Sequence, residues 1–118
     1  MVERLKKILK EIEKRNGPVR LFAFLEMDDM ADRWTLIISA AWIREANRFK
    51  KFKEVMALLR KNFNGEELSS FARVVLMPKE DHLVHELLKK KTGYHITDEK
   101  INGNMVQTGE IIKSDATL

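Results

Sequence analysis

Two neighbouring segments of the chain are apolar at both odd and even positions. Residues 19–27 and residues 34–43 share this pattern. In the first segment, the two alternating sets are Val19, Leu21, Ala23 and Leu25 against Phe22 and Phe24. Because successive side chains of a strand point to opposite faces, strands of this kind are covered on both faces or lie in the centre of a sheet. The link between them, residues 28–33, is short and polar, so the two strands are predicted to pair as an antiparallel hairpin.

Three segments have apolar residues at helical spacing and are predicted to be helices. Residues 2–16 form the first, whose inward stripe is Val2, Leu5, Ile8, Leu9 and Ile12. Gly17 ends this helix because glycine readily adopts the left-handed cap, and the following proline cannot continue the helix. Residues 47–63 form the second, with a predicted buried stripe of Phe49, Phe52, Met56, Leu59 and Phe63. The third begins at Pro78, which suits a first helical position, and runs to Lys91.

The rest of the chain is predicted to supply three further strands. Residues 71–77 are the first of these, and residues 94–101 and 105–113 form a hairpin around Asn102 and Gly103. Asn-Gly suits a type I′ turn, in which both central residues have positive φ. The element order is then αββαβαββ, and the direct links between strands favour a mixed, mostly antiparallel sheet packed by three helices. The predicted class is α+β, with residues 1–118 in a single domain because no repeat or linker interrupts them.

Composition restricts where such a chain can work. The 118 residues contain no cysteine, which removes disulfides, thiolate metal sites and a cysteine nucleophile, and fits a reducing compartment. The charged start of the chain lacks the apolar region of a signal peptide. The longest apolar stretch, residues 36–43, is far shorter than the ~20 residues that span a bilayer. We therefore expect a cytoplasmic protein without a membrane partner, and no residue pattern indicates a cofactor.

Positive charge is concentrated in the first two predicted helices. Residues 44–61 carry seven Lys or Arg against two Glu, within a net charge of +4 for the chain. Clustered cations neutralise phosphates, so nucleic-acid binding is one hypothesis, with the candidate residues Lys50, Lys51, Lys53 and Lys61. The alternative is a solvated surface, because cations in the last turn of a helix, such as Lys61, complement the helix dipole without any ligand.

Two pairs of residues, each with at least one aspartate, are candidates for metal-dependent chemistry. Asp28 and Asp32 lie in the polar link, where their carboxylates could bind magnesium or calcium, although Asp is also a common turn residue. Asp98 and Lys100 have the D-x-K spacing of metal-dependent nucleases, in which the lysine orients the attacking water. The acidic partner that such a site needs cannot be identified upstream of Asp98. A metal-dependent hydrolase is therefore one of the alternatives.

The third predicted helix carries two histidines on its outer side. His82 and His85 are three positions apart, a spacing that allows them to share a divalent metal. Ordinary surface pairing with Asp81 and Glu86 explains the same spacing, because each histidine has one of these carboxylates four positions away. No closed ligand set is found, so no structural metal is predicted.

Catalytic motifs are missing from the sequence. Nucleophile elbows, phosphate loops and dinucleotide fingerprints are absent, and the five glycines are dispersed. Function must then come from the surface of the fold rather than from a recognisable set of reactive groups. The sequence favours a small non-enzymatic interaction or regulatory protein of unknown partner. Nucleic-acid binding is the alternative, followed by metal-dependent hydrolysis.

Self-association is a further hypothesis, based on the last predicted strand. Ile111 and Ile112 are consecutive, so in a regular strand they cannot both face one core. One of them is exposed unless something covers it, and a hairpin at a sheet edge also leaves backbone groups unpaired. A homodimer would solve both problems. In the competing account, the first helix folds back at Gly17 and covers that surface within the same chain.

Overall fold

A computed structural model describes residues 1–27 and 33–118 of the chain. The helices are α1 (Val2–Asn16), α2 (Arg48–Asn62), α3 (Gly65–Leu68) and α4 (His82–Leu88). The strands are β1 (Leu21–Met27), β2 (Trp34–Ser39), β3 (Phe71–Met77), β4 (His95–Ile101) and β5 (Asn104–Ser114). The Cα radius of gyration, 13.3 Å, matches the roughly 13.5 Å expected of one domain of this length. The α+β class and the predicted order are confirmed, with the one-turn α3 added after α2.

The strands form one mixed sheet in the order β3-β2-β1-β5-β4. β1 pairs antiparallel with β2 and with β5, and β4 pairs antiparallel with β5, so both predicted hairpins are confirmed. β2 and β3 run parallel, because the segment that contains α2 and α3 returns the chain to the starting end of the sheet. β3 and β4 are therefore the two edges of the sheet.

Helices cover both faces of the sheet, as the two-sided apolar pattern of β1 and β2 predicts. The core on the face of α1 and α2 includes Phe22, Phe24, Leu36 and Ile38. The core on the face of α4 includes Leu21, Ala23, Leu25 and Ile37. β1 is buried at nearly every position as a result, and it lies at the centre of both cores.

Several elements are shorter than predicted, β2 and α4 most of all, and β1 begins at Leu21 rather than at residue 19. β2 ends at Ser39 rather than at Ile43. α4 begins at His82 rather than at Pro78, because Asp81 caps the helix there, and it ends at Leu88 rather than at Lys91. The Asp81 carboxylate accepts hydrogen bonds at 2.9 and 3.1 Å from the amides of Leu83 and Val84. These bonds satisfy two amides of the first turn, so the helix has no need of the three residues that precede the cap.

Local capping and turn residues explain the remaining boundaries. α3 begins at a capping box, in which the Asn64 side chain accepts from the Glu67 amide and the Glu67 carboxylate accepts from the Asn64 amide. Gly17, after α1, has a φ of 106°. Asn102 and Gly103 have φ values of 50° and 80°, as a type I′ turn requires. The helix end predicted at Gly17 and the turn predicted at Asn102 and Gly103 are confirmed, but Gly17, with a ψ of −177°, does not have the left-handed helical conformation predicted for the cap.

The predicted buried stripe of α2 is wrong at Phe49. This side chain is 69% exposed, whereas the fully buried residues of α2 are Val55, Leu58 and Leu59. Phe52 and Met56 are half-buried at the margin of the core. The physical reason is that α2 packs against the edge strand β3, beyond which no described strand supports this side of the helix.

A bulge in β5 buries both consecutive isoleucines. Phe22 pairs with Lys113 and Ala23 pairs with Ile111, so Ile112 is the extra residue of β5. Ile112 packs in the core on the α1 side, and Ile111 packs in the core on the α4 side. The covering of this surface by the first helix is confirmed. The two isoleucines therefore give no reason for a dimer, and self-association through this hairpin stays a prediction.

Candidate functional site

An open groove runs between α2 and the edge strand β3. Its wider part has a volume of about 630 Å³, and its narrower part has a volume of about 250 Å³. Phe52 and Val74 line both parts, so the two are continuous. Apolar side chains form most of the wall, which gives this surface the character of a binding site for apolar groups.

The strand side of the groove is the open edge of β3. Val74, Val75, Leu76 and Met77 follow one another along the wider part, and residues 71–74 follow one another along the narrower part. Alternate residues of a strand point to opposite faces, so a wall of consecutive residues follows the edge of the backbone. β3 pairs with β2 on its other side, and its outer N–H and C=O groups meet no described strand.

The helix side of the groove is a stripe of residues spaced by four. They are Arg48, Phe52, Met56 and Arg60. Residues four apart share one face of a helix. The two apolar residues in the middle are half-buried, and the two arginines at the ends are exposed. At a rise of 1.5 Å per residue, the arginine Cα atoms lie about 18 Å apart along the helix axis. The helix wall of the groove thus has an apolar middle between two arginines, and Glu45 and Asp81 also line its wider part.

Phe49 forms the outer rim of the wider part of the groove. Its side chain is 69% exposed, and Lys53 Nζ lies 4.5 Å from the centroid of its ring. Full burial of a phenylalanine side chain contributes roughly 1.5–3 kcal/mol relative to its exposed state. A partner that covers this ring therefore gains more binding free energy than it would at an ordinary polar surface.

The four candidate lysines divide into two groups. Lys50, Lys53 and Lys61 are exposed and share one side of α2. Lys51 instead joins α2 to α1, because its Nζ donates to Asn16 Oδ1 at 2.6 Å. The Lys51 side chain is only 19% exposed. The structure brings three of the four lysines together, and nucleic-acid binding through them stays a prediction.

The described candidates for metal binding or catalysis lie away from the groove. Asp28 and Asp32 fall outside the described residues, so that prediction is not tested. Asp98 and Lys100 are exposed on the edge strand β4, where the Asp98 backbone has a φ of 47°. His82 and His85 are exposed on α4, as predicted. Within the two described ranges, no three His, Asp or Glu side chains are arranged to hold a metal ion.

A three-residue polar cluster ties β4 to the chain that follows α4. The Glu99 carboxylate accepts hydrogen bonds from Lys90 Nζ at 2.7 Å and from the Tyr94 hydroxyl at 2.6 Å. The bond from Lys90, and then the bond from Tyr94, lower the pKa of Glu99. The same bonds with Glu99 raise the pKa of Lys90 and the pKa of Tyr94. All three groups are engaged with one another, so the cluster acts as a structural contact.

The residues of the groove are hard to identify from the sequence. Phe49 and Phe52 are predicted to belong to the buried stripe. Arg60 is interpreted only as a cation that complements the helix dipole in the last turn, and Arg48 carries no prediction. The sequence signal that could identify the helix wall of the groove is a set of four residues of α2, each four positions from the next, with an arginine at each end. The order of the strands is needed to place this stripe beside an open sheet edge.

Comparison with known proteins gives no functional assignment. The chain matches no family model, and no curated protein or solved structure matches it. Among the described residues, no helix has the length and apolar character needed to cross a membrane. The geometry of the groove is therefore the basis for a functional proposal.

Proposed function

We propose that the protein is a non-enzymatic interaction module of the cytoplasm that binds an extended segment of a partner protein along β3. The groove is the observation that supports this function. An open strand edge and the apolar stripe of α2 line the same cavity of about 630 Å³. A segment added to this edge gains backbone hydrogen bonds from β3 and buries its apolar side chains against α2.

Two features of the described residues make this binding favourable. The outer backbone groups of β3 are already held in strand geometry, so a partner strand forms hydrogen bonds without ordering them first. Phe49, Phe52 and Met56 leave apolar surface in water, and each Å² removed from water contributes about 25 cal/mol. Main-chain pairing then supplies affinity, and the apolar wall supplies selectivity.

Selection from a random heptapeptide library against the immobilised protein tests the proposal. The tightest peptide is synthesised and titrated into isotopically labelled protein, and amide chemical shifts are followed by NMR. We expect the largest changes at the amides of Phe71–Met77 and at Phe49. Phe49→Glu places a charge at the rim of the groove and should weaken binding by about tenfold or more.

Ala57→Glu is the matched control for this substitution. It adds the same charge to α2 at an exposed position that does not line the groove. Affinity should stay unchanged, and both variants should keep the stability of the wild type within about 0.5 kcal/mol because both sites are exposed. Peptides that shift the amides of β4 or α1 instead, or that bind Phe49→Glu as tightly as the wild type, would contradict the proposal.

A second candidate function is nucleic-acid binding, which the shared side of Lys50, Lys53 and Lys61 supports. Replacing these three lysines with glutamine should weaken binding to a short DNA duplex and flatten its salt dependence, by about 0.9 in slope for each lost phosphate contact. Fluorescence anisotropy at several salt concentrations measures both quantities. An unchanged slope, or no binding of the wild type at low salt, would reject this function.

A further inference from the structure

We infer that the strand bound in this groove is β3 of a second copy of the chain, so that two sheets join edge to edge in a symmetric dimer. The inference rests on the proposed function and names its partner. It concerns a different surface from the C-terminal hairpin, whose consecutive isoleucines are buried within one chain. The observation that carries it is the unequal distribution of charge along the groove.

The two ends of the groove differ in the sign of their charge. Glu45 and Asp81 line the wider part together with one cation, Arg48. The Asp81 carboxylate caps α4 and still counts as a negative charge at this end. Arg60 and Arg73 line the narrower part, with no acidic residue among those described. Arg73 also lines a smaller cavity on the α4 face, so Arg60 is the cation that belongs to the groove alone. The described lining is thus net negative at the wider end and positive at the narrower end.

β3 connects these two ends of opposite charge. Residues 74–77 line the wider part and residues 71–74 line the narrower part, so Val74 is common to both and stands in the middle of the strand. A second β3 that pairs antiparallel about Val74 brings the narrower end of each chain to the wider end of the other. Opposite charges then meet at both ends of the joint. A parallel pairing would instead place the two wider ends together.

Arg48 opposes this pairing, but it is outnumbered. The two-fold axis of the joined sheet places both α2 helices on the same face and antiparallel to each other, so Arg48 approaches Arg60 of the partner subunit. Glu45 precedes Arg48 by three positions, and Asp81 lines the same end of the groove. Two carboxylates and one arginine therefore meet the positive end of the other chain, and the net interaction at each end is attractive.

The apolar surface of the groove is continuous across such a joint. Six of the seven residues of β3 are only half-buried, whereas the interior strand β2 is buried at every position after Trp34. Phe52 and Met56 are half-buried in the middle of the α2 stripe, so they lie opposite the same stripe of the second chain. A second copy removes this apolar surface from water on both chains at once, which favours association.

Self-complementarity distinguishes a second copy from an unrelated strand. An unrelated strand needs an acidic residue near Arg60, a cation near Glu45 and apolar side chains between them. A second copy that runs antiparallel supplies this order without any further requirement, because each groove carries the reverse of what the other presents. Glu45 and Arg60 are both exposed, and neither forms an ion pair with another described residue of its own chain. Both are thus available to a second chain.

Light scattering on gel-filtration peaks measures the association, at concentrations from about 1 μM to about 1 mM. We expect the mass to rise from the 13.8 kDa of one chain toward twice that value. Amide hydrogen exchange at low and at high concentration locates the joint. Protection should increase with concentration in Phe71–Met77, because the outer amides of β3 become hydrogen-bonded, and it should not change in β4.

Two charge reversals at opposite ends of the groove test the pairing. Glu45→Arg makes both ends positive and should weaken the dimer by about tenfold or more at low salt. Arg60→Glu removes the attraction at the narrower end and should weaken it by about threefold or more. An equal mixture of the two variants should associate more tightly than either variant alone, because the two substituted positions then carry opposite charges across the joint. Added salt should reduce these differences.

Matched controls make the same changes of charge outside the groove lining. Glu3→Arg lies at an exposed position of α1, and Lys61→Glu lies at the exposed position next to Arg60. Both should keep the dimer affinity of the wild type within about twofold, and mixing them should not change it. Thermal melts establish that all four variants are folded.

The outcomes of these measurements are distinct. A mass of one chain at every concentration overturns the inference. In that case, a selected heptapeptide that shifts the β3 amides leaves the proposed function intact, and peptides that do not shift them overturn both. A dimer whose concentration-dependent protection lies outside β3, or whose affinity Glu45→Arg and Arg60→Glu leave unchanged, also overturns the inference. A dimer protected at β3, which the two reversals weaken and their mixture recovers, supports it.

Discussion

The two edges of the sheet expose very different side chains. β4 buries Ile96 and Ile101 and fills its other positions with charged and polar residues, and its backbone has a positive φ at Asp98. β3 carries one charged residue, Arg73, in an otherwise apolar strand. Charges and local irregularity discourage the addition of a further strand. β4 is therefore a protected edge, and β3 has little of this protection.

The surroundings of the two edges also differ, because β4 is held by neighbouring residues and β3 borders an open groove. At β4, the hydrogen-bonded cluster of Lys90, Tyr94 and Glu99 connects the strand to the chain that follows α4. At β3, α2 contacts the strand but leaves the groove open beside Phe49. The fold thus protects one sheet edge with ordinary charged and polar surface residues, whereas β3 has Arg73 as its one charged residue.

The largest expected effect on stability concerns the core contact that holds β4. Ile96 is fully buried on the α4 side, so Ile96→Ala should lower the free energy of unfolding by about 2–5 kcal/mol. Thr97→Ala, at the exposed neighbouring position, should change it by less than about 0.5 kcal/mol. Urea denaturation measures both. A loss below about 1 kcal/mol at Ile96 would mean that surface contacts hold β4, and the comparison of the edges would need revision.

The next largest effect concerns the joint between β1 and β5, which carries β4. A Cβ atom on Gly109 would lie 2.7 Å from Leu25 Cδ2 and 2.9 Å from the carbonyl oxygen of Phe24. Because the carbonyl belongs to the backbone, the strands themselves must shift, and Gly109→Ala should cost about 1–3 kcal/mol. Gly65→Ala is the control, since no described atom lies within 4 Å of its added Cβ. In thermal melts, equal behaviour of the two variants would contradict this account of the joint.

A smaller effect is expected at the polar cluster beside β4. Glu99→Gln keeps the shape of the side chain and removes the charge that pairs with Lys90. The Glu99 side chain is 29% exposed, so the cost should be no more than about 1 kcal/mol and should decrease with added salt. Glu86→Gln, at the more exposed ion pair with Lys89, serves as the comparison and should cost less. A salt-independent loss at Glu99 would indicate that the contact is not electrostatic.

The smallest effect is expected near β3, where Arg4 of α1 pairs with Glu67 of α3. The hydrogen bond from Arg4, and then the one from the Asn64 amide, lower the pKa of Glu67 from 4.5 to about 2. A carboxyl with a lowered pKa in the folded state stabilises the fold above its unfolded pKa of about 4.5, and this contribution is lost as the pH falls toward about 2. Arg4→Gln should therefore flatten the pH dependence of the unfolding free energy in this window.

The measurement for this pair is denaturant unfolding at several pH values between about 2 and 6. Lys6→Gln is the control, because Lys6 forms a longer surface ion pair on the same helix, at 3.6 Å from Glu3. This control should keep the slope of the wild type. A slope that Arg4→Gln leaves unchanged would show that the pair does not stabilise the region before β3.

Elements with a continuous apolar pattern can be predicted from the sequence, and burial at the margin of the fold cannot. α1 and β3 have the predicted bounds because the helical stripe and the strand composition extend over their full lengths. α3 also has a readable signal, since Asn64 and Glu67 have the spacing of a capping box. The exposure of Phe49 has no such signal. Its spacing from Phe52 is the same whether or not a strand lies beneath that part of the helix.

The candidate site depends on the order of strands, which the sequence does not specify. Helical spacing places Arg48 and Arg60 on one stripe of α2, but it does not show that β3 is an edge. That position follows from the parallel pairing of β3 with β2 and from the insertion of β5 between β1 and β4. These contacts join segments that are distant in the chain, and local patterns do not encode them. The fold class was therefore predictable, and the groove was not.

The insertion of β5 has a consequence for the synthesis of the chain on the ribosome. β1 and β5 pair although about eighty to ninety positions separate them in sequence. Contacts between such distant segments form slowly, because the entropy of closing the loop is lost before the contacts stabilise it. A nascent chain that stops before residue 104 leaves β1 without one of its two neighbours and without Ile111 and Ile112. We expect such chains to stay unfolded, to expose the apolar residues of β1, and to be substrates for chaperones until the last strand is made.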